Sequence, residues 1–179
     1  MLDLRNKVDH GTVAVLRDVH EAARHVRADL LLIGASARDL WLQTIYKTPI
    51  ARATEDYDLA VLVNTWADYD ALVNTLVRTG SYHKDSHHSQ RLISGNLKLD
   101  LVPFGDLETT RDVISWPPDG DIQMSTLGFR EAIAHGAHMR LADDVNVKVV
   151  TLSALAMLKV IAWTDRRANR DAYDAMLIR

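Results

Sequence analysis

Leu30-Leu31-Leu32-Ile33-Gly34-Ala35-Ser36-Ala37-Arg38-Asp39 opens the stretch on which the fold turns, and Thr54-Glu55-Asp56-Tyr57-Asp58-Leu59-Ala60-Val61-Leu62-Val63 closes it. The first half is a buried-type apolar run ending in Gly-Ala-Ser. That is the pattern of a strand feeding a tight turn and a helix N-terminus, which presents backbone N–H groups to a phosphate. The second half sets two carboxylates two residues apart at the head of another apolar run. A strand's period of two sends both to one face, about 7 Å apart along the backbone, within reach of one metal centre.

A third carboxylate decides how to read them. Leu97-Lys98-Leu99-Asp100-Leu101-Val102-Pro103 alternates and puts Asp100 mid-strand. Gly95-Asn96 is a hairpin signal that joins this strand to Arg91-Leu92-Ile93-Ser94, and the hairpin is expected to bring Asp100 alongside Asp56. Two carboxylates about 5 Å apart repel by about 3 kcal/mol at an effective dielectric of about 20. Such a cluster needs a cation or a shared proton to relieve it. Mg²⁺, with Mn²⁺ as a substitute, is the natural occupant, because it takes hard oxygen ligands and substrate phosphates together.

The chain as a whole bounds the answer. Its 179 residues suit one domain over 1–179, with a catalytic sheet core at about 28–105 and a C-terminal hairpin and helices at about 137–179. A hydrophobic share of 47% beside 25% charged residues is ordinary globular composition. A formal charge of −3 argues against a strongly basic nucleic-acid coat, though not against a local basic groove. The chain has no cysteine, so disulfides and thiolate metal sites are absent, which fits a cytoplasmic protein. The charged N-terminus lacks the apolar core of a signal peptide, and no apolar run approaches a membrane span.

In chain order, Thr12–Val26 has helical spacing, Leu30–Ile33 is the first strand, and Ser36 takes the N-cap position of the next helix. Thr48-Pro49 stops that helix. Asp56–Val63 is the second strand, and Thr65–Val77 is a helix closed by Thr79-Gly80. The polar run His83–Arg91 reads as a loop near the substrate entrance. Its histidines His83, His87 and His88 lack a carboxylate at metal-site spacing. Phe104–Gly120 is loop-rich, with Trp116–Gly120 as a surface turn. Phe129–Ala134 is a short helix, Ala137–Leu141 and Val145–Val150 a second hairpin, and Thr151–Trp163 a strong helix. Trp41, Trp66 and Trp163 fall on apolar faces and read as core, and Arg38 and Asp39 as structural. The chain ends in the middle of a helical pattern.

Gly-Ala-Ser, then Asp-x-Asp on a strand, then a lone strand Asp resembles the nucleotidyltransferase superfamily of the DNA polymerase β-like fold. Leu158-Lys159 through Arg166-Arg167, followed by Arg170-Asp171-Ala-Tyr-Asp174, resembles the C-terminal helices of AbiEii-type toxin nucleotidyltransferases. The resemblance implies an α+β fold: a mixed β-sheet with flanking helices and a C-terminal helical segment. There are two departures. Ala35 stands where the family has Gly or Ser, which moves that role to Ser36, and the long gap from Gly34 to Asp56 marks Lys47–Ala53 as an insertion.

For this sequence the resemblance implies transfer of a nucleoside monophosphate from a nucleoside triphosphate, ATP among the candidates, to a hydroxyl of RNA or protein. A tRNA 3′ end is the favoured acceptor, and an antitoxin-type protein the implied partner. Asp56, Asp58 and Asp100 would bind the metal, with Asp100 also helping to deprotonate the acceptor. Gly34, Ala35 and Ser36 would hold the triphosphate, Lys159 would neutralise phosphate charge, and Asp171 would position Lys159 or the acceptor. The alternatives are a catalytically silent nucleotide-binding or regulatory module and a metal-dependent nuclease using the same carboxylates.

Overall fold

A computed structural model describes residues 1–47 and 55–166. In chain order the elements are β1 (Leu2–Asp3), α1 (His10–Val26), β2 (Asp29–Ile33) and α2 (Gly34–Asp39), which runs on as a π-helical segment (Leu40–Ile45). There follow β3 (Asp56–Val63), α3 (Trp66–Arg78), β4 (His83–Lys84), β5 (Arg91–Ser94), β6 (Leu97–Gly105), β7 (Val113–Ser115) and β8 (Gln123–Ser125). The chain then forms α4 (Phe129–Ala134), β9 (Ala137–Arg140), β10 (Asn146–Val149) and α5 (Leu152–Arg166). Among the described residues eight strands make one mixed sheet, ordered β1-β9-β10-β2-β3-β6-β5-β4, while β7 and β8 pair apart from it. This is the α+β architecture expected from the sequence.

Alternation on β3 sorts the two faces of the sheet. Tyr57, Leu59, Val61 and Val63 are buried on one face, and Asp56 and Asp58 lie on the other. The apolar face receives α1, whose Val13, Leu16, Val19 and Ala23 recur at helical spacing, and α3. Tyr57 and Thr12 share a hydroxyl hydrogen bond at 2.7 Å, and the buried Tyr69 of α3 donates its hydroxyl to the Leu101 carbonyl at 2.9 Å. Each helix starts on a side-chain cap: Asp9 accepts the Thr12 N–H at 2.8 Å and Thr65 accepts the Asp68 N–H at 3.1 Å. On the carboxylate face the lower part of the sheet is covered. Phe104 of β6 meets Phe129 of α4 edge to face at 5.6 Å, and Trp41 donates its indole N–H to the Val150 carbonyl at 2.8 Å.

Several expectations are corrected. Ser36 is not an N-cap: the helix begins at Gly34 with Ile33 as its cap, and Ser36 lies buried inside the first turn. Gly34, at φ +70°, makes the sharp turn by itself, so the helix needs no polar cap residue. Asp100 sits opposite Asp58, and Lys98 opposite Asp56. The loop-rich segment after Phe104 holds the β7–β8 hairpin, with Trp116 buried against Trp66 and Tyr69. That segment is organised by Glu108, which accepts from Thr126 at 2.9 Å and pairs with Arg130 at 3.2 Å. Trp163, expected in the core, is 38% exposed. The Pro49 stop, most of the expected insertion, and Asp171 and Asp174 lie outside the described residues. No helix among the described residues is long and apolar enough to cross a membrane.

Leu59, fully buried at the centre of the sheet, should carry a large share of the stability. Leu59→Ala is expected to lower the unfolding free energy by about 2–5 kcal/mol in a urea titration; a loss under about 1 kcal/mol would contradict this packing. A pH effect comes from His20 on α1. Burial holds its pKa below the ordinary 6.5, against a hydrogen bond to the Leu16 carbonyl. The folded state therefore prefers the neutral ring. This contribution is complete above pH 6.5 and declines as the pH falls below it, because the unfolded chain then binds the proton first. His20→Gln should flatten the stability profile in that window, and an unchanged profile would assign the slope elsewhere.

Candidate active site

Register across four strands builds the site. β5 pairs antiparallel with β6, placing Arg91 opposite Asp100. β6 pairs parallel with β3, placing Asp100 opposite Asp58, and β3 pairs antiparallel with β2, placing Asp58 opposite Ile33. One row thus reads Arg91, Asp100, Asp58, Ile33, and Gly34 begins α2 directly after it. The neighbouring row on the same face reads Ile93, Lys98, Asp56. Gly34 and Asp58 are in intimate contact: a Cβ at position 34 would collide with the Asp58 carboxylate, 2.7 Å from its Cγ. Only glycine allows a turn at φ +70° and this approach together.

The two rows carry three carboxylates and two cations. Arg91 donates to both Asp100 oxygens, from Nε at 2.7 Å and from Nη2 at 2.8 Å. Both side chains are mostly covered, at 21% and 16% exposure. The Asp100 hydrogen bonds push the Arg91 guanidinium pKa up against partial burial, and the fields of Asp100, Asp56 and Asp85 add to them. Lys98 lies 3.8 Å from Asp56, and that pair is open to solvent. The start of β5 is fixed by the loop before it: the Leu101 N–H donates to the Gln90 carbonyl at 2.9 Å and the Asp85 N–H to the Arg91 carbonyl at 3.0 Å. Asp85 accepts the backbone N–H groups of His87 and His88, at 2.6 and 3.0 Å, which tightens that loop.

The fold therefore brings together Gly34, Asp58 and Asp100, with Asp56 one row along. Ala35 and Ser36 follow in the first turn of α2. Lys159 is half-buried on α5, a helix that packs against α2. Arg38 and Asp39 form a largely buried pair at 2.8 Å. The donor set of Asp56, Asp58 and Asp100 suits a hard cation. Among the described residues, however, no three such side chains gather about one point. The Arg91 fork engages both oxygens of Asp100 from the β5 side. Arg91 and Lys98 were not singled out from the sequence, although counting outward from Gly95-Asn96 pairs 94 with 97, 93 with 98 and 91 with 100.

Comparisons with known proteins agree with this architecture. The family model for the nucleotidyl transferase AbiEii toxin, type IV TA system, matches residues 20–179. The solution structure of the antibiotic-resistance factor ANT(2'')-Ia is similar at a TM-score of 0.54 and 14% identity, over 96% of this chain and 84% of that one. A crystal structure of ANT(2'')-Ia in complex with adenylyl-2''-tobramycin gives 0.53 and 14%, over 94% and 87%. An antigenic nucleotidyltransferase-like protein from Paracoccidioides brasiliensis gives 0.55 and 17%, over 94% and 73%. At these identities the likeness is one of fold. No curated protein matches by sequence.

The contact between Gly34 and Asp58 is directly testable. Gly34→Ala should destabilise the protein by about 1–3 kcal/mol, and the cost should shrink in an Asp58→Gly background where the colliding carboxylate is gone. Equal costs in both backgrounds, measured by urea unfolding, would contradict the contact.

Proposed function

The chain belongs to the AbiEii nucleotidyltransferase family, and from that premise we propose that it moves a nucleoside monophosphate from a nucleoside triphosphate onto a hydroxyl of RNA, using Mg²⁺. The tRNA 3′ end is the acceptor this reading favours, and ATP is one candidate donor. The observation that carries it is the row in which Asp100, Asp58 and the Gly34 turn follow one another across adjacent strands.

Asp56, Asp58 and Asp100 would hold the cation, which when bound supplies charge stabilisation at the attacking and leaving oxygens. The chain's own groups do the rest. The turn at Gly34, Ala35 and Ser36 offers backbone N–H groups to the triphosphate tail. Lys159 offsets phosphate charge from α5, and Asp171 orients Lys159 or the acceptor. The acceptor oxygen attacks the α-phosphorus, the bond to the bridging oxygen breaks, pyrophosphate leaves, and an Asp100 carboxylate oxygen accepts the hydroxyl proton. The family's description as a toxin of type IV toxin–antitoxin systems supports an antitoxin as partner. Absence of cysteine is compatible with action in the cytoplasm.

One observation favours a second reading. Arg91 occupies Asp100, as it would in a module that binds nucleotide without turning it over. Labelled nucleoside triphosphates, offered one at a time with Mg²⁺ and total RNA, separate the two. Label on RNA is the expected result. Nucleotide binding with no transfer to RNA or protein supports the silent module, and RNA shortened without nucleotide points to a nuclease. In the same assay Asp56→Asn and Asp58→Asn should each lower transfer at least about 100-fold. Their melting temperatures should stay near wild type, because each removes a charge from a repulsive set. Wild-type transfer in either variant would reject the assignment.

A further inference from the structure

Arg91 stands in an unusual relation to the site. It is neither a helix residue nor part of the turn, yet β5–β6 register fixes it directly across from Asp100. Its fork uses both Asp100 oxygens, from Nε at 2.7 Å and Nη2 at 2.8 Å, in the two-point geometry that makes guanidinium–carboxylate pairs strong. The pair is mostly shielded from water, at 21% and 16% exposure, so salt screens it little. Lys98 and Asp56 contrast with it. They lie 3.8 Å apart with exposures of 46% and 41%, a contact that water and salt largely cancel.

We propose that Arg91 is a tethered cation that competes with the divalent metal for Asp100, so that the nucleotide-free enzyme holds metal weakly until the guanidinium lets go. Three observations converge on this. The fork engages both Asp100 oxygens from the β5 side, whereas a metal shared with Asp58 would need one of them from the β3 side. A cation about 2.1 Å from an Asp100 oxygen would sit within about 5 Å of the guanidinium, where like charges repel. And among the described residues no three ligand-type side chains yet surround one point, although three carboxylates share the face. Arg91 is thus a positioning residue that acts through Asp100. This inference rests on the reading of Asp100 as a metal ligand.

Mn²⁺ binding to the nucleotide-free protein, followed by electron paramagnetic resonance of the free ion, tests it without reference to activity. Arg91→Met should bind Mn²⁺ about tenfold more tightly than wild type, and Asp100→Asn added to that variant should remove the gain. A purely structural role for Arg91 would not raise the affinity. If Arg91→Met binds no tighter than wild type while Asp100→Asn weakens both, Asp100 is a ligand and the competition is refuted. If Asp100→Asn changes Mn²⁺ binding in neither background, both the competition and the assignment of Asp100 as a ligand fall. Should Arg91→Met fail to fold, Arg91→Lys keeps the charge but cannot form the fork, and is expected to gain about two- to threefold; no gain overturns the proposal.

Discussion

The register of β6 between β5 and β3 is the constraint on which everything else depends. Slipping β6 by one residue would turn Asp100 to the apolar face and put Leu99 or Leu101 among the charges. The fold resists such a slip from both sides. Leu99 and Leu101 are fully buried, and the Leu101 carbonyl is held by the Tyr69 hydroxyl. The burial that stabilises one face of the sheet therefore also aims the carboxylates on the other. Stability and chemistry share the same hydrogen-bond ladder, one on each side of it.

Electrostatics then decides what state the site rests in. Three carboxylates on one face suggest a site that cannot stand without an added cation. The chain answers that repulsion itself, with Arg91 forked onto Asp100 and Lys98 near Asp56. A divalent cation entering this face consequently meets competition, and the shielded guanidinium pair outweighs the exposed ammonium pair because screening scales with exposure.

Much of this was legible in the sequence where local rules govern. The apolar run into Gly34, the Asp-x-Asp pair at the head of an apolar run, the alternation around Asp100 and the Gly95-Asn96 hairpin are short-range signals, and each became the expected element. So did the hairpin of β9 and β10 and the helix α5. Long-range choices were not legible. Which aspartate faces Asp100 is set by a parallel pairing reached through α3, and no local residue announces that register. The pairing of β1 with β9 joins Leu2 to Met139, far apart in the chain. Ser36 misled because serine favours N-caps, whereas a glycine in the left-handed region had already made the turn. Trp163 misled because helical spacing shows a face without showing what covers it. Arg91 could have been found by counting across the hairpin, but an arginine at a strand start has no signature until its partner is known.

On the proposed function, Asp58 and Asp100, neighbours in one cross-sheet row beside the Gly34 turn, would coordinate a single divalent cation. The most direct measurement of that coordination is a crystal structure of the protein with Mn²⁺ and a non-hydrolysable nucleoside triphosphate, read at the manganese absorption edge. The predicted result is anomalous density between the Asp58 and Asp100 carboxylates, with the triphosphate against the Gly34 turn and the Arg91 fork opened. Manganese bound elsewhere, with Asp100 still clasped by Arg91 and the phosphates remote from Gly34, would contradict it.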